Sequence, residues 1–123
     1  MVEFVVVAVL MLVPLVYVVT GVAAVQRTSF AASTAVREAG RAFVTADSPE
    51  QARTRARAAA LLALDDHGLA LPPSALHLTC LDGPCLSPGS RVQVSLALVA
   101  PPPVPVPVSA THLEVVDDYR AAP

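Results

Sequence analysis

Between Phe4 and Val25 the segment FVVVAVLMLVPLVYVVTGVAAV runs for 22 residues without a charge. As a helix rising about 1.5 Å per residue it matches a hydrocarbon core of roughly 30 Å. A buried helix in a water-soluble domain rarely stays apolar on every face for so long, because it normally keeps a polar stripe. A cleavable secretory signal is the other competitor, with Gly21 and Ala23 as the small residues of a cleavage site. Against it, Glu3 stands where a basic n-region belongs, and the apolar run is longer than an ordinary h-region. We therefore read residues 4–25 as a membrane span. At 123 residues the chain has room beside it for one small domain.

Helical character continues past the span. In QRTSFAASTAVREAGRAFV the residues Phe30, Ala35, Val36, Ala39 and Phe43 fall near i, i+3 and i+4 spacing. One helix from Val2 to about Val44 is expected, about 65 Å long, with an amphipathic outer half and a kink or loosening at Pro14. TADSPEQ then stops and restarts the chain, with Ser48 as cap, Pro49 at the first helical position and Gln51 completing a capping box. The second helix is expected to run to about His67 and to end at Gly68. Its apolar stripe of Ala52, Ala56, Ala59, Ala60, Ala63 and Leu64 can lie on the first helix or under a sheet, leaving Arg53, Arg55 and Arg57 for water or headgroups.

After Pro72 and Pro73 the apolar period drops to two. LHLTCL (76–81) and RVQVSLALV (91–99) read as a hairpin, and THLEVVDDY (111–119) as a third strand. Between the last two lies APPPVPVPV (100–108), a proline-rich connector unsuited to a central strand. The fold class is thus α+β: a long N-terminal helix, a second helix and a small three-stranded antiparallel sheet. Residues 1–45 form the helical region and 46–123 the small domain.

Little in the sequence points to catalysis. All eight basic residues are Arg and form no long stripe, and with no Trp, three Phe and two Tyr there are no aromatic platforms for bases, so nucleic acid is not an expected partner. Asp65–Asp66 and Asp117–Asp118 are adjacent pairs whose side chains diverge, and no serine lies in a nucleophile motif. No enzyme activity, cofactor or metal is expected. Cys80 and Cys85, separated by the turn sequence LDGP, are expected to form a disulfide, with free thiols and a metal site as alternatives. Glu3 abuts the span, where a carboxylate is costly unless it meets headgroups, water or a partner's cation.

The opening VEFVVVAVLMLVPLVYVVTG resembles that of type IV pilin-like subunits, and specifically the TadE-like minor pilins of tight-adherence (Flp) pilus systems. TCLDGPCLSPGSRVQV, the proline-rich connector and the ending SATHLEVVDDYR resemble TadE-like proteins of high-GC, Gram-positive bacteria, so the likeness covers most of the chain. It implies a non-enzymatic membrane subunit, single-pass, with its C-terminal domain extracytoplasmic and a possible place in a surface pilus. Its partners would be the bilayer, other pilin subunits and the assembly platform. Glu3 would pair with a neighbour's N-terminal amine, and Gly21, Ala24 and Ala35 would let neighbouring helices approach. Pilin leaders are basic and end in Gly before the cut. This sequence shows neither before Glu3, and Arg27, Arg37 and Arg41 follow the span where charge bias favours the cytoplasm. A leader encoded upstream, and a prepilin peptidase to remove it, is the expectation that reconciles both. The alternative from another class is a secreted or membrane-tethered envelope binding module with a plain N-terminal anchor.

Overall fold

The computed structural model describes residues 1–121; positions 122 and 123 of the expected domain lie outside the described residues. Helix α1 spans Val2–Val44 without a break, Pro14 included. Its two halves meet different surroundings. Val2 to Thr20 is exposed on every face, whereas Gly21, Ala24, Thr28, Ala31, Ala32, Ala35, Val36, Ala39, Gly40 and Phe43 are buried. Those positions recur every three to four residues, the mark of a helix with one face against a core.

Helix α2 spans Pro49–Asp65 and begins as its sequence dictates. Ser48 Oγ accepts from the Gln51 backbone N–H at 3.3 Å, while Gln51 Oε1 accepts from the backbone N–H of Asp47 at 3.0 Å. The reciprocal bond thus reaches one residue further back than in the usual capping box. Gly68, at φ 70°, takes the left-handed conformation after the helix, and the Leu69 N–H bonds back to the Leu64 carbonyl. Ala52, Ala56, Ala60, Ala63 and Leu64 are buried and Ala59 is half-buried. Of the two placements open to this stripe, α2 lies on α1. Facing alanines let two helix axes approach closely, because the separation is set by the side chains between them.

The sheet has the order β1-β2-β3, all antiparallel, with β1 Leu76–Cys80, β2 Arg91–Val99 and β3 Pro107–Val115. Val92, Val94, Leu96 and Leu98 of the central strand are buried, alternating with more exposed neighbours. The third strand begins four residues before its expected start at Thr111 and ends at Val115, so Asp117 and Asp118 fall in the following turn. Pro107 is admitted because β3 is an edge strand and a proline at its first residue costs no central ladder bond. Helix α1 packs on α2 and on β2 and β3, and is the shared spine of the core.

One expected core residue is elsewhere. Phe30 is 65% exposed, its ring edge-on to His67 with centroids 5.6 Å apart, whereas Phe43 is 0% exposed. Five residues separate Phe30 from Ala35, and at about 100° per residue that step turns away from the buried face.

Candidate assembly and membrane-facing surface

Three features could engage a partner: the head of α1 at Glu3, the bare apolar sleeve behind it, and the junction where the small domain meets the sleeve. Glu3 lies in the first turn of α1, exposed, and makes no ion pair among the described residues. A carboxylate in a first turn is favoured by the helix dipole, so its position is compatible with an isolated subunit. From Val2 to Val19 the sleeve carries Val, Leu, Met, Phe and Tyr side chains that the rest of the chain leaves uncovered. α1 therefore contains a segment long and apolar enough to cross a bilayer, near the N-terminus and unburied.

The junction is made by the proline-rich connector, which folds down onto the end of the sleeve. The Tyr17 hydroxyl donates to the Pro103 carbonyl at 3.0 Å. One turn along α1, Gly21 lies under Val104: a Cβ built on Gly21 would come within 2.9 Å of Val104 Cγ2, so any side chain here would force Val104 to shift. Beside it an apolar groove of about 330 Å³ is lined by Val18, Val22 and Val25 of α1 and by Val104 and Val106 of the connector.

The small residues expected to admit a neighbouring helix have partners within the chain. Gly21, Ala24 and Ala35 are buried within the chain itself, Gly21 beneath the connector and Ala35 in the core shared with α2 and the sheet. Their smallness serves the subunit's own packing.

Cys80 and Cys85 are joined as a disulfide with Cα atoms 5.5 Å apart. The bridge closes the loop after β1 and leads into Leu86, which has a positive φ of 66° and is fully buried. The same loop carries an ion pair: Asp82 Oδ2 accepts from Arg91 Nε at 2.7 Å and Oδ1 from Arg91 Nη2 at 2.9 Å. This fork, mainly through its side-chain hydrogen bonds, holds the Asp82 carboxyl below its ordinary pKa and raises that of Arg91. The pair is exposed and fastens the base of the β1–β2 connection.

The remaining polar residues do not converge. His112 Nε2 lies 2.9 Å from Glu114 Oε2 on the inner face of β3, packed over Gly40. His67 Nδ1 lies 3.1 Å from the Ala63 carbonyl. Asp117 Oδ1 accepts from the Tyr119 N–H in a turn. Among the described residues no group of three or more His, Cys, Asp or Glu side chains is gathered.

Two residues outside the sequence expectations shape this surface. Arg120 reaches back to the end of α1, where its guanidinium donates to the carbonyls of Val44, at 2.6 Å, and Ala46. A cation on the terminal carbonyls of a helix is favoured by hydrogen bonding and by the dipole. Tyr17 is the second, and its only sequence signal was a lone phenol inside an otherwise apolar run. Comparison with protein-family models, curated proteins and solved structures finds no match to the chain.

Proposed function

We propose that the chain is a structural subunit of minor pilin or pseudopilin type, held in the membrane by α1 and taking part in assembly of a Tad-type pilus, with its small domain outside the cytoplasm. The observation that supports this reading is the unbroken run of α1 from a bare apolar half into the half that forms the domain's own spine. A module tethered for binding gains from a flexible linker between anchor and domain. Here none intervenes, and the domain is instead held at a fixed angle to the apolar half. That rigidity suits a subunit stacked by its helix.

On this reading Glu3 supplies register. Lateral association in a bilayer gains little from the hydrophobic effect, because lipid tails are as apolar as the helices, so polar pairs and packing decide which contacts persist. An unpaired carboxylate buried among neighbouring helices is costly, and a stagger that pairs Glu3 with a neighbour's N-terminal amine removes that cost. Other pilin subunits and the assembly platform are the partners proposed, and a prepilin peptidase if a leader is encoded upstream.

The test is Glu3→Gln in the native host. Membrane insertion is expected to be unchanged, while pull-down of a major pilin and pilus formation are lost. Normal pili with the variant would remove Glu3 from assembly. Failure of the unaltered chain to capture any pilin would remove the reading itself.

A further inference from the structure

We infer that the tip of the proline-rich connector, Pro101 to Val106, is a membrane-immersed wedge: it lies below the lipid headgroups beside α1, and the groove between them holds lipid acyl chain. The inference rests on α1 crossing the bilayer and is independent of what the subunit assembles with.

The argument begins with depth. Glu3 is ionisable and stays at one boundary of the hydrocarbon, so the apolar run is measured from Phe4. A core of roughly 30 Å consumes about 20 residues of helix, which places the opposite boundary near Ala23. Val104 packs on Gly21, about 26 Å along the helix from Phe4, so the connector reaches several ångströms inside that boundary. Tyr17, which holds Pro103, lies deeper still at about 20 Å. Moving the boundary down to Tyr17 would leave a span short by about 10 Å. Tilting the helix lowers its rise along the membrane normal and sinks the connector further.

The chemistry of the connector agrees with that depth. No Asp, Glu, Lys or Arg occurs between Arg91 and Glu114. Of the six peptide nitrogens from Pro101 to Val106, only those of Val104 and Val106 carry a hydrogen, since the other four belong to proline. An unsatisfied N–H in hydrocarbon costs several kcal/mol, and proline is the one residue that brings none. The Val106 carbonyl accepts from the Ala100 N–H at 2.9 Å, and the Pro103 carbonyl from Tyr17. That second bond also satisfies a phenol that would otherwise lie unpartnered among lipid tails. The Val104 and Val106 N–H groups and the other carbonyls of the tip have no partner among the described residues, so the tip sits only as deep as water and lipid ester groups reach.

Polarity along α1 marks the same boundary. The groove is lined mainly by valines, with Gln26 the lining residue furthest along α1, and Arg27, the first charged residue after Glu3, follows at once and is exposed. Gln26 and Arg27 lie about 5 Å above Ala23, at the level of headgroup phosphates. The groove is continuous with the bare sleeve of α1, so whatever solvates the sleeve reaches it.

The chain has no tryptophan, so a single introduced Trp is a unique reporter. We would reconstitute the full chain, at low protein-to-lipid ratio, in phosphatidylcholine vesicles with or without brominated acyl chains. Four variants are compared: Val106→Trp in the groove, Pro105→Trp at the exposed tip, Val9→Trp in mid-span and Tyr119→Trp at the far end of the domain. The expected result is blue-shifted emission and strong loss of intensity for Val106→Trp and Pro105→Trp with lipid brominated near the headgroup. Val9→Trp loses intensity most with lipid brominated deep in the chain, and Tyr119→Trp is unaffected. Water-like, unquenched emission from both connector variants while Val9→Trp is quenched overturns the wedge and leaves the span standing. Blue-shifted but unquenched emission from both means that a second copy covers the groove, and also overturns it. An unquenched Val9→Trp removes the span and the wedge together.

Discussion

The contrast between Phe43 and Phe30 gives a quantitative handle on the domain's core. Both are phenylalanines on the outer half of α1, yet Phe43 is 0% and Phe30 65% exposed. The core around Phe43 is built largely from alanines, and its large fully buried side chains are few, Leu64, Leu86 and Leu96 among them. Phe43→Ala therefore removes a central filler where small neighbours cannot expand to replace it, a change that costs about 3–5 kcal/mol. Phe30→Ala loses one edge contact to His67, about 1 kcal/mol at most. For a folded region of about a hundred residues, with total stability of about 5–15 kcal/mol, the first change is severe and the second mild. With an m-value of about 1.5 kcal/mol per M, the urea midpoint falls by roughly 2–3 M for Phe43→Ala and by less than about 0.7 M for Phe30→Ala. Pulse proteolysis of the detergent-solubilised chain reads this directly, because Arg91 begins the central strand and is a trypsin site only when the sheet opens. Equal shifts, or a larger one for Phe30→Ala, would refute the placement of the buried face of α1.

Three further outcomes can be checked on the same preparation. Arg120→Gln removes charge-assisted bonds to the end of α1 and is expected to cost about 1–3 kcal/mol of stability, read from the shift of the urea midpoint, with Arg120→Lys intermediate because a point charge cannot fork between the Val44 and Ala46 carbonyls. Leu86→Ala empties a fully buried site at about 2–5 kcal/mol, whereas reducing the Cys80–Cys85 bridge, which closes only a short ring, costs at most about 2 kcal/mol; the reduced chain stays folded and resistant to trypsin. The depressed Asp82 pKa makes its pair with Arg91 stabilising above the ordinary Asp value of 3.8, and that contribution is lost as pH falls through the lower, folded value. Asp82→Asn is thus expected to flatten the acid limb of a stability-against-pH profile and to leave its slope above pH 6 unchanged.

What could be read from the sequence divides along the range of the forces involved. Local signals were sufficient for α1, for the start of α2 at Ser48 and Pro49, for its end at Gly68 and for the two strands of the hairpin, since each depends on neighbours within a few residues. β3 was misplaced by four residues because its limits are set by pairing with β2, which runs from Arg91↔Val115 to Val99↔Pro107 and draws in part of the proline-rich connector. Chained local spacings place Phe30 with the buried face of α1, which it does not share. Counted directly, it lies 13 residues and about 140° from Phe43 around α1, a distinction the sequence already held. The junction of Tyr17 with Pro103 was out of reach, because a contact across 86 residues leaves no trace in local pattern. The same holds for Gly21, Ala24 and Ala35: smallness predicts close approach but does not say what approaches.

The bare half of α1 limits which states the chain can occupy. Each large apolar side chain moved from water into an apolar environment gains about 1.5–3 kcal/mol on full burial, and most positions from Val2 to Val19 carry one at 50% exposure or more. Their combined demand is tens of kcal/mol and exceeds the roughly 5–15 kcal/mol that keeps an ordinary domain folded. The sleeve must therefore always be covered by lipid, detergent or other helices. Exchange between lipid and neighbouring helices changes the apolar term little, since both are comparably apolar. On the proposed reading, entry into a fibre and retention in the membrane are consequently close in energy. The choice between them falls to the few features that distinguish one cover from the other: the Glu3 carboxylate, the shape of the connector groove, and contacts made by the rigidly mounted domain.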